Sequence, residues 1–395
     1  MSLLNKKVTV IGAGIGGLTA ALALQARGAD VTVLEQAGSI SEVGAGLQIS
    51  PNGFCVLRAL GLGKAFQARA VQGQAVELRD YRKSTLVARL DLGLLPADQP
   101  YFFIHRADLI DALADAVRDA GVKVRLLQQA ETIDPGPSPK VHLANGAVVN
   151  SDLVVGADGL HSKLRPVLNG KVAPFFTRQV AWRATIPNDL NHPAVARVHM
   201  APKRHMVSYP LRGGELINLV MVQERMDWAD EGWVHTDDPD NLRAAFSDFG
   251  GDAAKMLAQV TDVGLWGLFR HPVAPRWVGE NVAILGDAAH PTLPFMAQGA
   301  VMAMEDAWVL ADALDKAETT AEGLVAYQSR RHARASKVID TASGNAWKYH
   351  LSFPPSRFGA HLGLKMLSTL APKKLLQQFD WIYRHDVTRS DSDMS

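Results

Sequence analysis

The sequence predicts an α/β protein in which a parallel-sheet domain carries an inserted, mostly antiparallel domain and a helical C-terminal region. Three observations predict this. A glycine-punctuated strand–helix–strand unit occupies the first 35 residues. Short apolar runs broken by Pro, Gly and Asn dominate from Arg178 to about Phe269. A further buried strand, Val282 to Leu285, returns after that stretch. Parallel-type strands thus occur early, in the middle and late, so one domain is assembled from segments distant in the chain.

Taking the elements in order, Lys6 to Ile11 reads as a buried strand, Ile15 to Arg27 as an Ala- and Leu-rich helix closed by Gly28, and Asp30 to Leu34 as a second buried strand. Asp108 to Ala120 is another helix, ended by Gly121, and Val122 to Leu127 returns as a strand. Asn145-Gly146, flanked by His142-Leu143 and Val148-Val149, marks a hairpin. Leu153 to Val155 is a further buried strand, and a long helix follows from about Gln298 to Ala313. From about Thr319 the chain reads as helices broken by Pro354-Pro355 and Pro372. The expected division is 1–75, 100–175 and 275–318 for the first domain, 76–99 and 176–274 for the second, and 319–395 for the C-terminal region.

Composition narrows the function. At 395 residues, two or three packed units are expected, and 47% hydrophobic against 21% charged residues is globular rather than disordered. A net charge of +1 without a long basic run shows no nucleic-acid footprint. One cysteine, Cys55, excludes an internal disulfide framework and a zinc site built on paired cysteines, and fits a reducing compartment; no metal is expected. The apolar stretch Val8 to Leu24 is interrupted by four glycines and runs into a second strand, unlike a signal peptide. No apolar run reaches the ~18 residues a membrane span needs. The expectation is a cytoplasmic protein, monomer or homodimer, with no membrane partner.

The chemistry lies in spaced motifs. Gly12, Gly14 and Gly17 sit between a strand and a helix. There the first permits a tight turn, the second admits a pyrophosphate to the backbone, and the third lets the helix pack on the strand. The helix N-terminus then presents N–H groups to phosphate. Glu35 ends the second strand, where a carboxylate accepts hydrogen bonds from a ribose. This is a Rossmann-type dinucleotide site, which by itself does not separate FAD from NAD. Asp158, Gly159, Ser162 and Arg165 follow the Leu153 strand. Gly286, Asp287, His290 and Pro291 follow the Val282 strand, and the chain continues through Pro294, Ala297, Gln298, Gly299 and Ala300.

Together these segments resemble the single-component FAD-dependent aromatic hydroxylases, whose fold is that of p-hydroxybenzoate hydroxylase, and within them the salicylate, 3-hydroxybenzoate and 6-hydroxynicotinate hydroxylase branch. The resemblance runs from about residue 6 to 387. It includes a loop from Gly44 to Asn52 beside the flavin, the segment His105 to Leu109 whose Arg106 lies close to the cofactor, and a C-terminal stretch from Asp380 to Asp386. Arg384 stands where Gly is frequent, and Ala297 where many relatives outside the branch have Gly. The resemblance implies FAD as cofactor, held by Gly12, Gly14, Gly17, Glu35, Gly46, Arg106, Asp158, Asp287, Pro294, Gly299 and Ala300. It implies NAD(P)H as a co-substrate that docks without a Rossmann domain of its own. It implies hydroxylation of a small phenolic or acidic aromatic compound by O2 through a flavin hydroperoxide.

His205 and Tyr209 lie four apart in an expected strand and so share a face. In the 3-hydroxybenzoate and 6-hydroxynicotinate hydroxylases a similar pair lines the substrate pocket. His205, with a reference pKa near ~6.5, is the expected base toward a phenol, and Tyr209 and Gln298 are expected to orient the substrate. His290 reads as a loop residue rather than a base. Trp182 to Pro187 superficially resembles a flavin halogenase signature, but Ala184 stands where its second tryptophan would be. A reductase or dehydrogenase of the same fold, without oxygen insertion, is the rival enzyme. A membrane-associated protein is a further alternative, through an interfacial helix over His361 to Phe379, though a core-facing helix with one solvated side is the expected form of that segment.

Overall fold

The computed structural model describes residues 3–40, 46–225 and 235–389. Gly44 of the flavin-side loop lies outside them. The glycine-punctuated unit forms as two parallel strands, Lys7–Ile11 and Asp30–Leu34, joined by the helix Ile15–Gln25. Leu153–Gly156 pairs with Lys7–Ile11 on its other side, Val282–Ile284 pairs with Leu153–Gly156, and Lys123–Arg125 closes the far edge. All of these pairs are parallel, and the sheet is completed by an antiparallel two-residue edge strand, Val278–Gly279. The central strand Leu153–Gly156 is buried throughout, as a sheet covered on both faces requires.

Among the described residues the second sheet has eight strands. In spatial order they are Thr236–Asp237, Val263–Arg270, Phe175–Pro187, Leu216–Glu224, Arg204–Leu211, Val195–Ala201, Ala75–Asp80 and Leu86–Asp91. Neighbours run antiparallel except Val195–Ala201 and Ala75–Asp80, which pair in parallel. One face of this sheet, with Trp182, Met206, Leu219 and Met221, packs on the helices Pro239–Ala245 and Asp252–Ala258. The other face, with Arg183, Val207, His205 and Tyr209, is turned to a cavity shared with the parallel domain.

Several boundaries shift for local reasons. The helix expected from Asp108 begins at Arg106, with His105 in extended conformation at its N-cap. The strand expected from Val122 to Leu127 shortens to Lys123–Arg125, because Leu127 turns out of the sheet at φ 56°. The late helix runs Gly299–Lys316, with Gln298 as N-cap rather than as a helical residue. Pro354 opens the helix Pro354–Leu370 and Pro372 opens Pro372–Gln377, so the segment expected as one helix over His361 to Phe379 is divided. That segment meets its expected core-facing form only in part, with Leu375 and Leu376 buried. Leu364 and Leu367 pack against the domain and Ser368 bonds the backbone of Arg89, but no residue of Pro354–Leu370 is fully buried. Phe358, Leu362, Met366 and Leu370, spaced by four, form an exposed stripe. No helix among the described residues is long and apolar enough to cross a membrane.

Candidate active site

A cavity of about 390 Å³ runs between the two sheets. At one end it is lined by Gly14 and Gly16 of the glycine loop, by Asp287, and by Gly299 and Ala300 at the start of a helix. At the other it is lined by the sheet face bearing Arg183, His205 and Tyr209.

The glycine loop is shaped by contact. Gly12 has φ +100°, and a Cβ there would meet the carbonyl oxygen of Ala157 at 2.5 Å. A Cβ on Gly17 would meet the Gly12 oxygen at 2.0 Å, so the helix seats on the loop only without one. Glu35 accepts hydrogen bonds from the N–H groups of Ala13 and Ala37, both at 2.8 Å, and thereby ties the second strand to the loop. Asp158 accepts from Lys163 N at 2.7 Å, while its Oδ1 is buried with no donor among the described residues. Burial raises the pKa of Asp158 and also that of Asp287, which opens to the cavity deep in the protein. His290 and Arg106 act against this at Asp287. Arg165 joins the two motif loops, donating to the carbonyls of Ala288 (3.2 Å), Ala289 (3.3 Å) and Pro272 (2.5 Å).

These features fit a dinucleotide with a flavin ring. The glycine loop offers N–H groups and an open face to phosphate. The buried Oδ1 of Asp158 lacks a donor among the described residues and the Asp287 carboxyl opens into the cavity, so both suit hydrogen-bond donors such as ribitol hydroxyls. The helix N-terminus at Gly299 and Ala300 presents N–H groups and a partial positive charge to the cavity. Among the described residues no cluster of metal-ligating side chains occurs.

The substrate end is set by strand register. His205, Val207 and Tyr209 alternate onto the cavity face, and Val207 lies across from Val220, which lies across from Arg183. Tyr209 is buried, lies tilted against Phe103 with ring centroids 5.3 Å apart, and is held protonated because burial raises its pKa. Arg183 lies 4.8 Å over the Trp266 ring. Burial brings Arg183 down to about 10, with Tyr209 acting against the shift and Arg106 with it, so it is cationic at neutral pH. His205 is buried, and its pKa is well below the ordinary value through burial and the neighbouring His350.

The chain matches the family described as FAD binding domain over residues 5–342. The chain is 33% identical over 359 residues to a 3-amino-4-hydroxybenzoate 2-monooxygenase of Streptomyces cremeus, covering 88% of this chain and 89% of that one. It is 31% identical to 3-hydroxybenzoate 6-hydroxylase 1 of Aquipseudomonas alcaligenes, covering 96% and 98%. The chain belongs to the FAD-dependent aromatic-ring monooxygenases. A salicylate hydroxylase in complex with its substrate superposes with a TM-score of 0.81 at 25% identity, covering 97% of this chain and 96% of that one. The monooxygenase is thus an enzyme that uses FAD with NAD(P)H as co-substrate, and the rival reading as a reductase without oxygen insertion is not favoured.

The monooxygenase's expected site residues come together unevenly. Gly14, Gly46, Arg106, His205, Tyr209, Asp287, Pro294, Gln298, Gly299 and Ala300 all line the cavity. Gly12, Gly17, Glu35 and Asp158 are not among the lining residues. Gly46 N donates to Asn218 Oδ1 at 2.7 Å, joining the flavin-side strand to the substrate sheet. Gln298, expected as a substrate-orienting amide, lines the cavity and also has partners within the protein. Its Nε2 donates to Ser50 Oγ at 3.0 Å and its Oε1 accepts from Asn52 at 3.2 Å, so the amide is engaged within the protein. Asn52 in turn donates to Glu305 at 2.7 Å. His290 bonds Asp306 at 2.5 Å and stays out of the cavity chemistry. Sequence reasoning missed Arg183. The available signal was one arginine inside the apolar run Val180 to Ala184, but the run alone does not show which face borders a cavity. It also missed His350, which reaches His205 across 145 positions.

Proposed function

We infer that this monooxygenase hydroxylates a small aromatic acid that already bears a ring hydroxyl. One observation carries the reading: Arg183, Tyr209 and His205 share one face of a cavity whose walls are otherwise largely apolar. A cation this deep favours an anionic ligand group, and a carboxylate matches the guanidinium fork. The relatives named above carry benzoates in their names, which agrees with this.

The roles follow from position. FAD would be held by the Gly12 to Gly17 loop, Glu35, Asp158, Asp287 and the helix start at Gly299 and Ala300, with Gly46, Arg106 and Pro294 bordering the ring. When bound and reduced by NAD(P)H, FAD supplies an oxygen atom derived from O2 to the substrate ring. The protein's own task is to seat the ring, exclude water and make it electron-rich by taking its hydroxyl proton. Arg183 receives the carboxylate. Tyr209 donates its hydroxyl hydrogen to the substrate. His205 Nδ1 is committed to His350, so the substrate hydroxyl engages Nε2, which accepts the proton. Gln298 positions the helix start through Ser50 and Asn52. The single buried cysteine supports a cytoplasmic location.

The test is a panel of hydroxybenzoates, hydroxynicotinates and salicylates beside their uncharged phenols, scored by stimulated NAD(P)H oxidation and product mass. Arg183→Met should raise KM for the acids about 10- to 100-fold, as expected for a lost charge-assisted contact, and leave the phenols nearly unchanged. His205→Ala should slow hydroxylation with FAD still bound. Equal response of acids and phenols to Arg183→Met removes the carboxylate assignment, and unchanged turnover in His205→Ala removes the base.

A further inference from the structure

His205 is the inner end of a continuous hydrogen-bonded chain. Its Nδ1 lies 2.7 Å from Nε2 of His350, and Nδ1 of His350 lies 2.9 Å from Oε1 of Glu224. His350 is 5% exposed, whereas the Glu224 side chain is 40% exposed at the end of its strand. The chain therefore begins at the cavity and ends at solvent. Its geometry is pinned by backbone bonds, Lys203 N to His350 O at 3.3 Å and Glu224 N to Lys203 O at 2.9 Å. The rings of Phe295 (5.8 Å) and Tyr349 (5.4 Å) flank His205. Other charges on these strands point elsewhere: Arg204 pairs with Asp248, and the charge of Arg225 acts on Asp237.

We propose that His205, His350 and Glu224 form a proton relay that carries the substrate's hydroxyl proton from the cavity to solvent and returns a proton to the product. The proposal rests on the reading of His205 as the group facing that hydroxyl. At rest, Nδ1–H of His205 donates to Nε2 of His350, and Nδ1–H of His350 donates to the Glu224 carboxylate. The substrate O–H bond breaks as its proton goes to Nε2 of His205. The Nδ1 proton of His205 passes to Nε2 of His350, and the Nδ1 proton of His350 passes to Glu224, which releases it to water. The substrate keeps the electron pair as a phenolate, and each imidazole ends in its other neutral tautomer. The same steps in reverse protonate the product and restore both tautomers.

A relay answers a difficulty in the site. Burial pushes His205 well down, and it lowers His350 against the opposing pull of Glu224. An imidazolium left in the cavity is thus disfavoured. Moving one proton in while another leaves keeps both rings neutral and places the transient charge on a carboxylate in contact with water. Glu224 and His350 act through His205, so they are positioning residues for its proton transfer.

The experiment uses the FAD-loaded enzyme with whichever compound of the hydroxybenzoate and hydroxynicotinate panel is turned over fastest. His350→Ala should lower kcat at least about 10-fold with KM within about 2-fold, since general-base steps contribute about 100-fold or more. Added imidazole should restore part of the rate. Glu224→Gln, which cannot take the proton, should lower kcat and move the rising limb of its pH profile to lower pH, because the carboxylate that raises His350 is gone, while Glu224→Asp retains most activity. Loss of FAD or of folded protein in these variants, with kcat per bound flavin and its pH profile unchanged, overturns the relay and leaves a structural cluster. A loss in His205→Gln with none in His350→Ala or Glu224→Gln keeps His205 as the base and overturns the relay alone. No loss in any of the three overturns both.

Discussion

Replacing Arg331 with methionine should destabilise the enzyme more than any surface change, because its guanidinium holds two buried carboxylates. It is fully enclosed, 2.6 Å from Glu305 and 2.7 Å from Asp306. Glu305 also accepts from Arg334 at 2.8 Å and from Asn52 at 2.7 Å, and Asp306 accepts from Gly286 N at 3.1 Å and from His290. Removing one partner of a buried ion pair leaves charge uncompensated and costs about 3–5 kcal/mol. The titration of Glu305 supports that scale. Burial pushes its pKa up, yet Arg331 and then Arg334 bring it to about 2 from an ordinary 4.5. A depression of that size corresponds to about 3 kcal/mol of favourable interaction. Arg334 remains in the variant, so the lower end of the range, about 3 kcal/mol, is expected. The sign with pH follows from the depressed carboxylate. Its contribution is complete above about pH 4.5 and is lost as pH falls toward 2. In Arg331→Met, burial of Glu305 and Asp306 is less opposed, so the loss should begin at higher pH. Asn52 and the Gly286 loop hang on these carboxylates, so flavin should be released in the same transition. Urea unfolding at pH 7.5 and acid titration, each followed by far-UV circular dichroism and flavin fluorescence, measure both effects. A variant with the wild-type urea midpoint and the wild-type acid transition would refute the reasoning.

Two further outcomes are expected. Ala297 sits at φ 53°, in the left-handed region, which costs a non-glycine residue about 1–2 kcal/mol; after the extra unfolded-state freedom of glycine is subtracted, Ala297→Gly should stabilise the protein by about 0.5–1 kcal/mol. A lower thermal midpoint for that variant, measured with FAD bound, would contradict the strain. Cys55 is buried, donates to Asn52 O at 3.0 Å, and is raised far above the ordinary thiol range by burial and by Asp386. Iodoacetamide at pH 8 should therefore leave the folded enzyme unmodified and label it only after unfolding, as mass spectrometry would show.

Much of the cofactor half was legible because its signals are local. Gly12 turns at positive φ, Gly17 seats on the Gly12 oxygen a few residues back, and Glu35 ends the strand that follows. Strand periodicity likewise places His205 and Tyr209 on one face whatever surrounds them. The exposed stripe on Pro354–Leu370 was not legible, since an apolar spacing of four reads the same whether the face is covered or bare.

The sequence by itself determined the fold class, the glycine loop with its acid, and the order of the motif loops, because strand and helix periods and glycine sterics act over short stretches of chain. Only the tertiary structure decided that Arg183 borders the cavity, that Gln298 spends its amide on Ser50 and Asn52, and that His205 meets His350, which in turn meets Glu224. Those contacts join residues more than a hundred positions apart, and their partners are chosen by how two sheets and a long helix pack rather than by any pattern along the chain.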